Sequence, residues 1–117
     1  MNKYWKDKWV TALRSNEYTQ TKNCLRRNNN TYCCLGVLSD LVAKEYPEQF
    51  KWLLNDSINY SFNSNDDKNY AVLIDEVIAI TEVPDKFCSI DNELHLTRCN
   101  DDGYSFNQIA DLIEEYL

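Results

Sequence analysis

The residues of this chain that could do chemistry are concentrated in residues 13–38. This segment contains three of the four arginines, the one adjacent pair of cysteines and one of the two glycines. A polar, basic stretch leads directly into the apolar sequence CCLGVL, which begins at Cys33. Charged side chains at the mouth of a buried helix are a common setting for a ligand site. We therefore expect binding at this segment, although it does not name a reaction.

An anionic ligand is the first chemistry that the segment could support. Guanidinium and ammonium groups pair with phosphate oxygens, and a helix N-terminus adds backbone N–H donors. Tyrosine and glutamine could stack on or hydrogen-bond to a nucleobase. The candidate ligand-binding residues are Arg14, Tyr18, Gln20, Lys22, Arg26 and Arg27. Glycine-rich phosphate loops are excluded because the two glycines lie far apart. The competing interpretation is that these cations only pair with the acidic remainder of the domain.

A cysteine nucleophile is the sharpest enzymatic alternative. Cys33 or Cys34 would lie at the N-terminus of a helix, where the helix dipole lowers the pKa of a thiol. His95 and Asn100 follow Cys34 in the order that papain-like hydrolases use. The competing interpretation is that both thiols are packed and that His95 belongs to a strand. We favour a protein that is not an enzyme.

Zinc is a third alternative, and we do not favour it. Four ligands would have to come from Cys24, Cys33, Cys34, Cys88, His95 and Cys99, a set without any CxxC pair. The cysteines number five, and their spacing suggests no disulfide framework. We interpret all five as reduced thiols in a cytosol, most of them buried as small apolar groups. Neither a metal nor a cofactor is expected.

The composition fits one domain spanning residues 1–117. The hydrophobic fraction of 44% supports a core, and no apolar run approaches the ~20 residues that cross a bilayer. The N-terminus has no apolar segment typical of a secretion signal. We expect a soluble protein that stays in the compartment where it is made, without a membrane partner.

The net charge of −7 is distributed unevenly along the chain. Residues 1–27 carry seven basic and two acidic side chains, whereas residues 28–117 carry five basic and seventeen acidic ones. This overall acidity argues against a general nucleic-acid binder, although a local basic patch could hold one anion. The last helix resembles the first helix of a helix-turn-helix with no recognition helix after it, so we expect no sequence-specific DNA binding.

Helical spacing predicts the elements that position these residues. Lys3–Arg14 is predicted to be a helix with one apolar stripe. Residues 15–32 have no apolar period and are predicted to be a long loop with a short extended piece. Residues 33–46 return to helical spacing, and the helix is apolar around so much of its circumference that it should lie at the centre. Gly36 within it predicts the close approach of another backbone.

The second half predicts shorter elements. Pro47 either stops the central helix or opens a short helix through Trp52 and Leu54. Residues 58–62 and 69–73 are predicted to form a β-hairpin around a polar hexamer. Residues 74–81 predict a helix, residues 93–97 a strand and residues 100–103 a turn. Ser105 and Gln108 form a capping box that opens the last helix. The predicted fold is a compact, mostly helical α+β domain with a small hairpin and a buried central helix.

Four pieces of the sequence resemble a known family. In order they are ALRSNEYTQTKNCLRR, TYCCLGVLSDL, IDEVIAITEV and LTRCNDDGYSFNQIADLIEEY. They are similar to small, uncharacterised proteins of tailed bacteriophages and prophages, which typically show ALRSGxYxQ, a glycine before xLR, CCLGVLCDL and LNDxGxSFxxIAxxIE. Asn16 and Asn23 stand where the family has glycine, so we expect a positive φ at both. Ser39 stands where the family has its third cysteine.

The resemblance implies a phage-encoded protein that acts in the cytoplasm of the infected host cell. It supplies no activity. We expect non-covalent binding that sequesters or inhibits a host component, such as one used in defence, through a host protein or a nucleotide-like ligand. The alternatives are a thiol hydrolase using Cys34 and His95, and a structural accessory protein of the phage. A homo-oligomer is compatible with the sequence.

Overall fold

Pairs of short strands separate the first three helices, and three helices follow one another at the end of the chain. The structure, a computed structural model, describes residues 1–54, 57–64 and 70–117. In these ranges the elements are α1 (Lys3–Arg14), β1 (Thr19–Gln20), β2 (Thr31–Tyr32), α2 (Cys34–Glu45), β3 (Trp52–Leu54), β4 (Tyr60–Phe62), α3 (Asp75–Thr81), α4 (Leu96–Asp101) and α5 (Phe106–Tyr116). The mostly helical α+β fold is therefore confirmed, and it has a radius of gyration of 12.8 Å.

Helix α2 lies in the centre of the core, as its apolar circumference predicts. Eight of its twelve residues are buried. The predicted close approach at Gly36 is confirmed: a Cβ atom there would lie 1.8 Å from the carbonyl oxygen of Leu25. Trp9 of α1 closes the other side, where its Nε1 donates to the carbonyl oxygen of Cys34 at 2.9 Å. Only glycine permits this contact between α2 and the preceding segment.

The segment between α1 and α2 is built into a small sheet. β1 and β2 pair in parallel, and β3 and β4 pair antiparallel. Arg26 forms an antiparallel bridge with Tyr32 of β2, and Arg27 forms another with Asn59 beside β4. Residues 26–27 therefore join the two strand pairs in the order β1, β2, 26–27, β4, β3. The predicted extended piece is present, and its pairing fixes the loop in place.

A hairpin is present, but residues 58–62 pair with a different segment from the one predicted. β4 pairs with β3, which precedes it, and residues 70–73 contain no strand. Residue 69 and most of the polar hexamer lie outside the described residues. The short helix predicted through Trp52 and Leu54 is wrong, because this segment is β3 itself. Trp52 packs edge-on against Phe62, its cross-strand partner in β4, with ring centroids 4.9 Å apart, and this pairing is not evident from local spacing.

The strand predicted at residues 93–97 is also wrong. Its last two residues belong to α4, in which Leu96 and Cys99 are buried three positions apart. His95 is the N-cap, and its Nδ1 accepts a hydrogen bond from the backbone N–H of Arg98 at 3.3 Å. The predicted turn at residues 100–103 is correspondingly shorter, because α4 runs to residue 101. Gly103 then takes a φ of 103°.

The remaining local predictions are confirmed. α1 and α3 lie where the spacing places them, and α5 begins with the predicted capping box between Ser105 and Gln108. Asn16 and Asn23 have φ values of 63° and 69°. Within the described ranges, no helix combines the length and apolar character needed to cross a membrane.

Candidate ligand-binding site

The six predicted ligand-binding residues do not form one group. Arg14 reaches α5, where its two terminal nitrogens lie 2.5 Å from Asp111 and 2.5 Å from Glu114. The side chain is about one-third exposed, and it ties the end of α1 to the last helix. Arg14 is therefore engaged by two surface ion pairs with α5 and does not line the cavity formed by Tyr18 and Arg26.

Gln20 and Arg27 make structural hydrogen bonds through their side chains, and Lys22 accepts one through its backbone carbonyl. Gln20 Nε2 donates to the side-chain oxygen of Asn100 at 2.9 Å and to the carbonyl oxygen of Tyr104 at 2.7 Å. Arg27 donates weakly to the backbone carbonyl of Lys22 at 3.4 Å. These bonds fasten the segment to α4 and to the turn after it, so they position the neighbouring strand residues.

Tyr18 and Arg26, in contrast, meet at one open cavity of about 360 Å³. Its other lining residues are Glu17, Asn30, Tyr32, Asp40 and Lys44. The volume lies at the lower end of the range typical of small-molecule sites, ~300–1,000 Å³. Two cations, two carboxylates and two phenol rings face a space that could hold a small polar ligand.

Arg26 is held over this cavity by aromatic rings. Its guanidinium carbon lies 4.3 Å from the ring centroid of Tyr60, 5.2 Å from that of Tyr32 and 5.4 Å from that of Trp52. One terminal nitrogen donates to Asn30 Oδ1 at 2.6 Å, and the shielded Nε has no partner among the described residues. No carboxylate in the described part of the chain pairs with this cation. The rings fix its position, and the described residues use only one of its five N–H donors.

Asp40 is the opposite case, because its carboxylate is fully engaged. It is 6% exposed, and it accepts hydrogen bonds from the Tyr18 hydroxyl at 2.6 Å and from Trp52 Nε1 at 2.9 Å. Lys44 forms an ion pair with it at 3.2 Å. Burial, followed by the hydrogen bond to Asp40, raises the pKa of Tyr18. Both oxygens of Asp40 therefore accept from neighbouring donors, and the carboxylate organises the cavity wall.

Tyr32 provides a potential donor. The residue is 8% exposed, and its hydroxyl is not among the shielded polar atoms that lack a partner in the described ranges, so it can reach the open cavity that Tyr32 lines. Burial raises its pKa, and the nearby Asp40 carboxylate adds to the shift, while Arg26 opposes it. The hydroxyl thus keeps its proton at neutral pH and can donate to a ligand in the cavity.

The residues of the thiol hydrolase alternative are placed unfavourably for catalysis. Cys34 is fully buried, and its Sγ donates to the carbonyl oxygen of Leu96 at 3.6 Å. Burial and neighbouring thiols raise its pKa well above the ordinary value, which opposes thiolate formation. His95 caps α4 instead of contacting the thiol. This arrangement weighs against a cysteine nucleophile.

Asn100 has a structural position that explains its burial. Its Oδ1 accepts from Gln20 Nε2 at 2.9 Å and from the backbone N–H of Cys34 at 3.1 Å. Its Nδ2 donates to the carbonyl oxygen of Thr21 at 2.8 Å. One carboxamide therefore joins α4, the N-terminus of α2 and the loop behind β1. At the N-terminus of α2, the backbone N–H of Cys34 is thus already hydrogen-bonded to Asn100, and that of Gly36 to Cys33 Sγ. These two groups are not free to bind an anion.

All five cysteines are buried, which confirms their predicted placement in the core. Burial raises the pKa of Cys33 to about 12. Among the described residues, no group of three or more histidine, cysteine, aspartate or glutamate side chains could hold a metal ion. The zinc alternative thus gains no support from the described geometry.

Sequence reasoning found Tyr18 and Arg26 but missed the rest of the cavity. Asp40 and Lys44 lie in the apolar helix α2, and their spacing of four residues places them on one helix face. An aspartate inside so apolar a helix was the available signal, because a buried carboxylate needs donors. Glu17, Asn30 and Tyr32 gave no comparable signal, since only the sheet pairing brings them to the cavity.

The fold and the cavity together define a small α+β domain with a polar cavity lined by aromatic residues. The chain belongs to a family described as a domain of unknown function, DUF8296, whose family model matches residues 1–117. No curated protein and no solved structure matches the chain. The family assignment carries no activity, so the proposals below rest on the site and on the sequence.

Proposed function

We propose that this protein is a phage-encoded accessory protein that acts by non-covalent binding in the cytoplasm of the infected cell. It sequesters or inhibits a host component, with a defence component as the favoured class. The phage context is supported by the sequence resemblance carried by CCLGVL and SFNQIA. The binding role is supported by one observation above all: Arg26 is fixed over an open cavity without a carboxylate partner among the described residues.

The cavity wall is built for holding a ligand more than for reacting with one. Both oxygens of Asp40 accept hydrogen bonds from neighbouring side chains. The raised pKa values of Tyr18 and Tyr32 keep their hydroxyls protonated. A general base needs a free acceptor near the reacting proton, and a nucleophile needs activation. The described cavity wall offers preorganised donors instead, which favour affinity because little ordering is required on binding.

The thiol hydrolase alternative has its own test. Native protein is treated with iodoacetamide at neutral pH, and each cysteine is followed by mass spectrometry with urea-unfolded protein as the reference. We expect the native thiols to react slowly, because the thiolate is the reactive form and burial disfavours it. Rapid, selective alkylation of Cys34 in the native state would restore the catalytic interpretation.

Capture from infected cells tests the proposed function directly. Tagged wild-type protein, Arg26→Gln and the control Arg98→Gln are expressed during infection, crosslinked and purified under identical conditions. Arg98 lies on α4 with a side chain 68% exposed, so its replacement removes the same charge outside the cavity. We expect a host component with the wild type and the control, and its loss with Arg26→Gln. Recovery of virion proteins alone, unchanged by Arg26→Gln, would instead favour a structural accessory.

A further inference from the structure

We infer that the cavity around Arg26 binds the phosphate group of a nucleoside monophosphate. This inference rests on the proposed binding function and names the chemical class of its ligand. It is drawn from three features of the cavity: a guanidinium held by aromatic rings, with one donor used by the described residues, a second cation that lines the same cavity, and a tyrosine hydroxyl at its wall.

Arg26 supplies the principal contact. A guanidinium has five N–H donors in a planar fork that matches two oxygens of a phosphate. The described residues use one of these donors, at Asn30. The rings of Tyr60, Tyr32 and Trp52 prevent the group from swinging into solvent. Because the side chain is already ordered, phosphate binding loses little conformational entropy here.

Lys44 and Tyr32 complete the anion site. The Lys44 ammonium lies 3.1 Å from the Tyr18 hydroxyl and 3.2 Å from Asp40, and its side chain is 68% exposed. Such a flexible cation can contact a phosphate oxygen while it remains beside Asp40. The protonated Tyr32 hydroxyl can donate to a further oxygen. All three groups line the same cavity, so each is available to contact an oxygen of a phosphate bound there.

The aromatic wall and the volume indicate the rest of the ligand. Tyr18 and Tyr32 lie edge to face with ring centroids 5.0 Å apart, and both line the cavity. Tyrosine rings beside a phosphate site favour a flat base. A cavity of about 360 Å³ suits one nucleotide and leaves little room for a second. The net charge of −7 makes this attraction local, because the protein as a whole repels anions.

Glu17 allows a test by sign. Its exposed carboxylate lines the same cavity and opposes an anion there. Glu17→Gln should therefore strengthen phosphate binding, whereas Arg26→Gln should weaken it. A cationic ligand would give the reverse order, because it would lose an attractive carboxylate in the first variant and a repulsive guanidinium in the second.

Isothermal titration calorimetry measures this. Wild-type protein is titrated with AMP, GMP, CMP and UMP, and with the four matching nucleosides, which lack the phosphate. We expect at least one monophosphate to bind at millimolar concentration or tighter, and its nucleoside to bind at least about tenfold more weakly. Equal binding of nucleoside and monophosphate, or no binding by any of the four monophosphates, would overturn the inference.

The variants are measured with the tightest monophosphate. Arg26→Gln should lose about tenfold or more in affinity, Glu17→Gln should gain a few-fold, and Arg98→Gln should match the wild type. Thermal unfolding checks each fold. If Arg26→Gln does not fold, Tyr32→Phe keeps the ring and removes only the hydroxyl, and it should bind several-fold more weakly. Unchanged affinity in the folded variant would contradict the assignment.

The failure of this inference differs from the failure of the proposed function. If no monophosphate binds but capture of a host component still depends on Arg26, the nucleotide ligand is wrong and the proposed binding function stands. If neither monophosphate binding nor Arg26-dependent capture is observed, the nucleotide ligand and the proposed function are both wrong.

Discussion

The guanidinium carbon of Arg26 lies 4.3 Å from the ring centroid of Tyr60, while the backbone N–H of Tyr60 donates to the carbonyl oxygen of Arg26 at 2.9 Å. The same two residues are thus joined through both main chain and side chain. This double contact links the basic loop to β4 and sets the guanidinium over the cavity. The cavity and the small sheet therefore depend on each other.

Replacing Tyr60 with leucine should loosen Arg26 without removing its charge. A partly shielded cation–π contact contributes about 0.5–2 kcal/mol, so we expect about 1 kcal/mol lower unfolding free energy. Monophosphate affinity should fall several-fold because the guanidinium becomes mobile. Urea unfolding and calorimetry measure both effects. Tyr116→Leu, at an exposed tyrosine of α5, is the control, and an equal affinity loss in that variant would refute the specific role of Tyr60.

Asn100→Asp should destabilise the protein in a pH-dependent way. The substitution keeps the acceptor for Gln20 and Cys34 but sets an oxygen against the carbonyl of Thr21, where Nδ2 now donates at 2.8 Å. The ionised form should cost about 3 kcal/mol, because a buried charge is left without a donor there. Only the protonated carboxyl can donate to Thr21, so its folded-state pKa is raised above the unfolded value of ~4.

The penalty of Asn100→Asp should therefore be smallest below about pH 4 and grow as the pH rises towards neutrality. Chemical unfolding of variant and wild type across this range measures the difference. Asn107→Asp, at an exposed position of α5, is the matched control and should show no such trend. A pH-independent difference at position 100 would show that the carboxamide is not the buried hydrogen-bonding group described here.

Asn16 should tolerate glycine but not alanine. Its φ of 63° lies in the left-handed region, which alanine enters at a cost of about 1–2 kcal/mol and glycine enters freely. We expect Asn16→Ala to lower the unfolding free energy by about 1 kcal/mol and Asn16→Gly to leave it nearly unchanged. Thermal unfolding of the two variants separates backbone strain from loss of the side chain. Equal destabilisation by both would point to the side chain.

Ser39→Ala should stabilise the fold. The serine is 1% exposed, and its Oγ has no hydrogen-bond partner in the described part of the chain. Removing an unsatisfied buried hydroxyl should gain about 1 kcal/mol. Ser105→Ala is the contrasting control, because it deletes the N-cap bond to the Gln108 N–H at 3.1 Å and should lose about 1 kcal/mol. Destabilisation by both variants would mean that Ser39 has a partner after all.

The sequence predicted best where one residue meets a local backbone requirement. Gly36 and Asn16 are such cases, since a close approach or a positive φ restricts the residue type at one position. The hairpin partner was wrong because short β-rich runs on either side of β4 compete for it, and the pairing of Trp52 with Phe62 that decides between them is not visible in local spacing. The strand predicted before Asn100 failed because five residues do not separate a period of two from a helical turn.

The candidate site shows the same difference between residues that local patterns indicate and residues that only tertiary packing brings together. Tyr18 and Arg26 were identifiable as an aromatic residue and a cation within a long polar loop, but the other residues that line the cavity were not. Lys44 and Asp40 read as surface and core positions of α2, and only tertiary packing brings them next to Tyr18. Local patterns thus indicated two members of the cavity, and the convergence of the others depends on how the sheet closes against the central helix.

The affinity of a nucleoside monophosphate for paired charge variants tests the central claim most directly. Calorimetry on wild type, Arg26→Gln, Glu17→Gln and Arg98→Gln should give affinities about tenfold weaker for the first variant, a few-fold tighter for the second and unchanged for the third. A folded Arg26→Gln protein that binds the same ligand as tightly as the wild type would contradict the account.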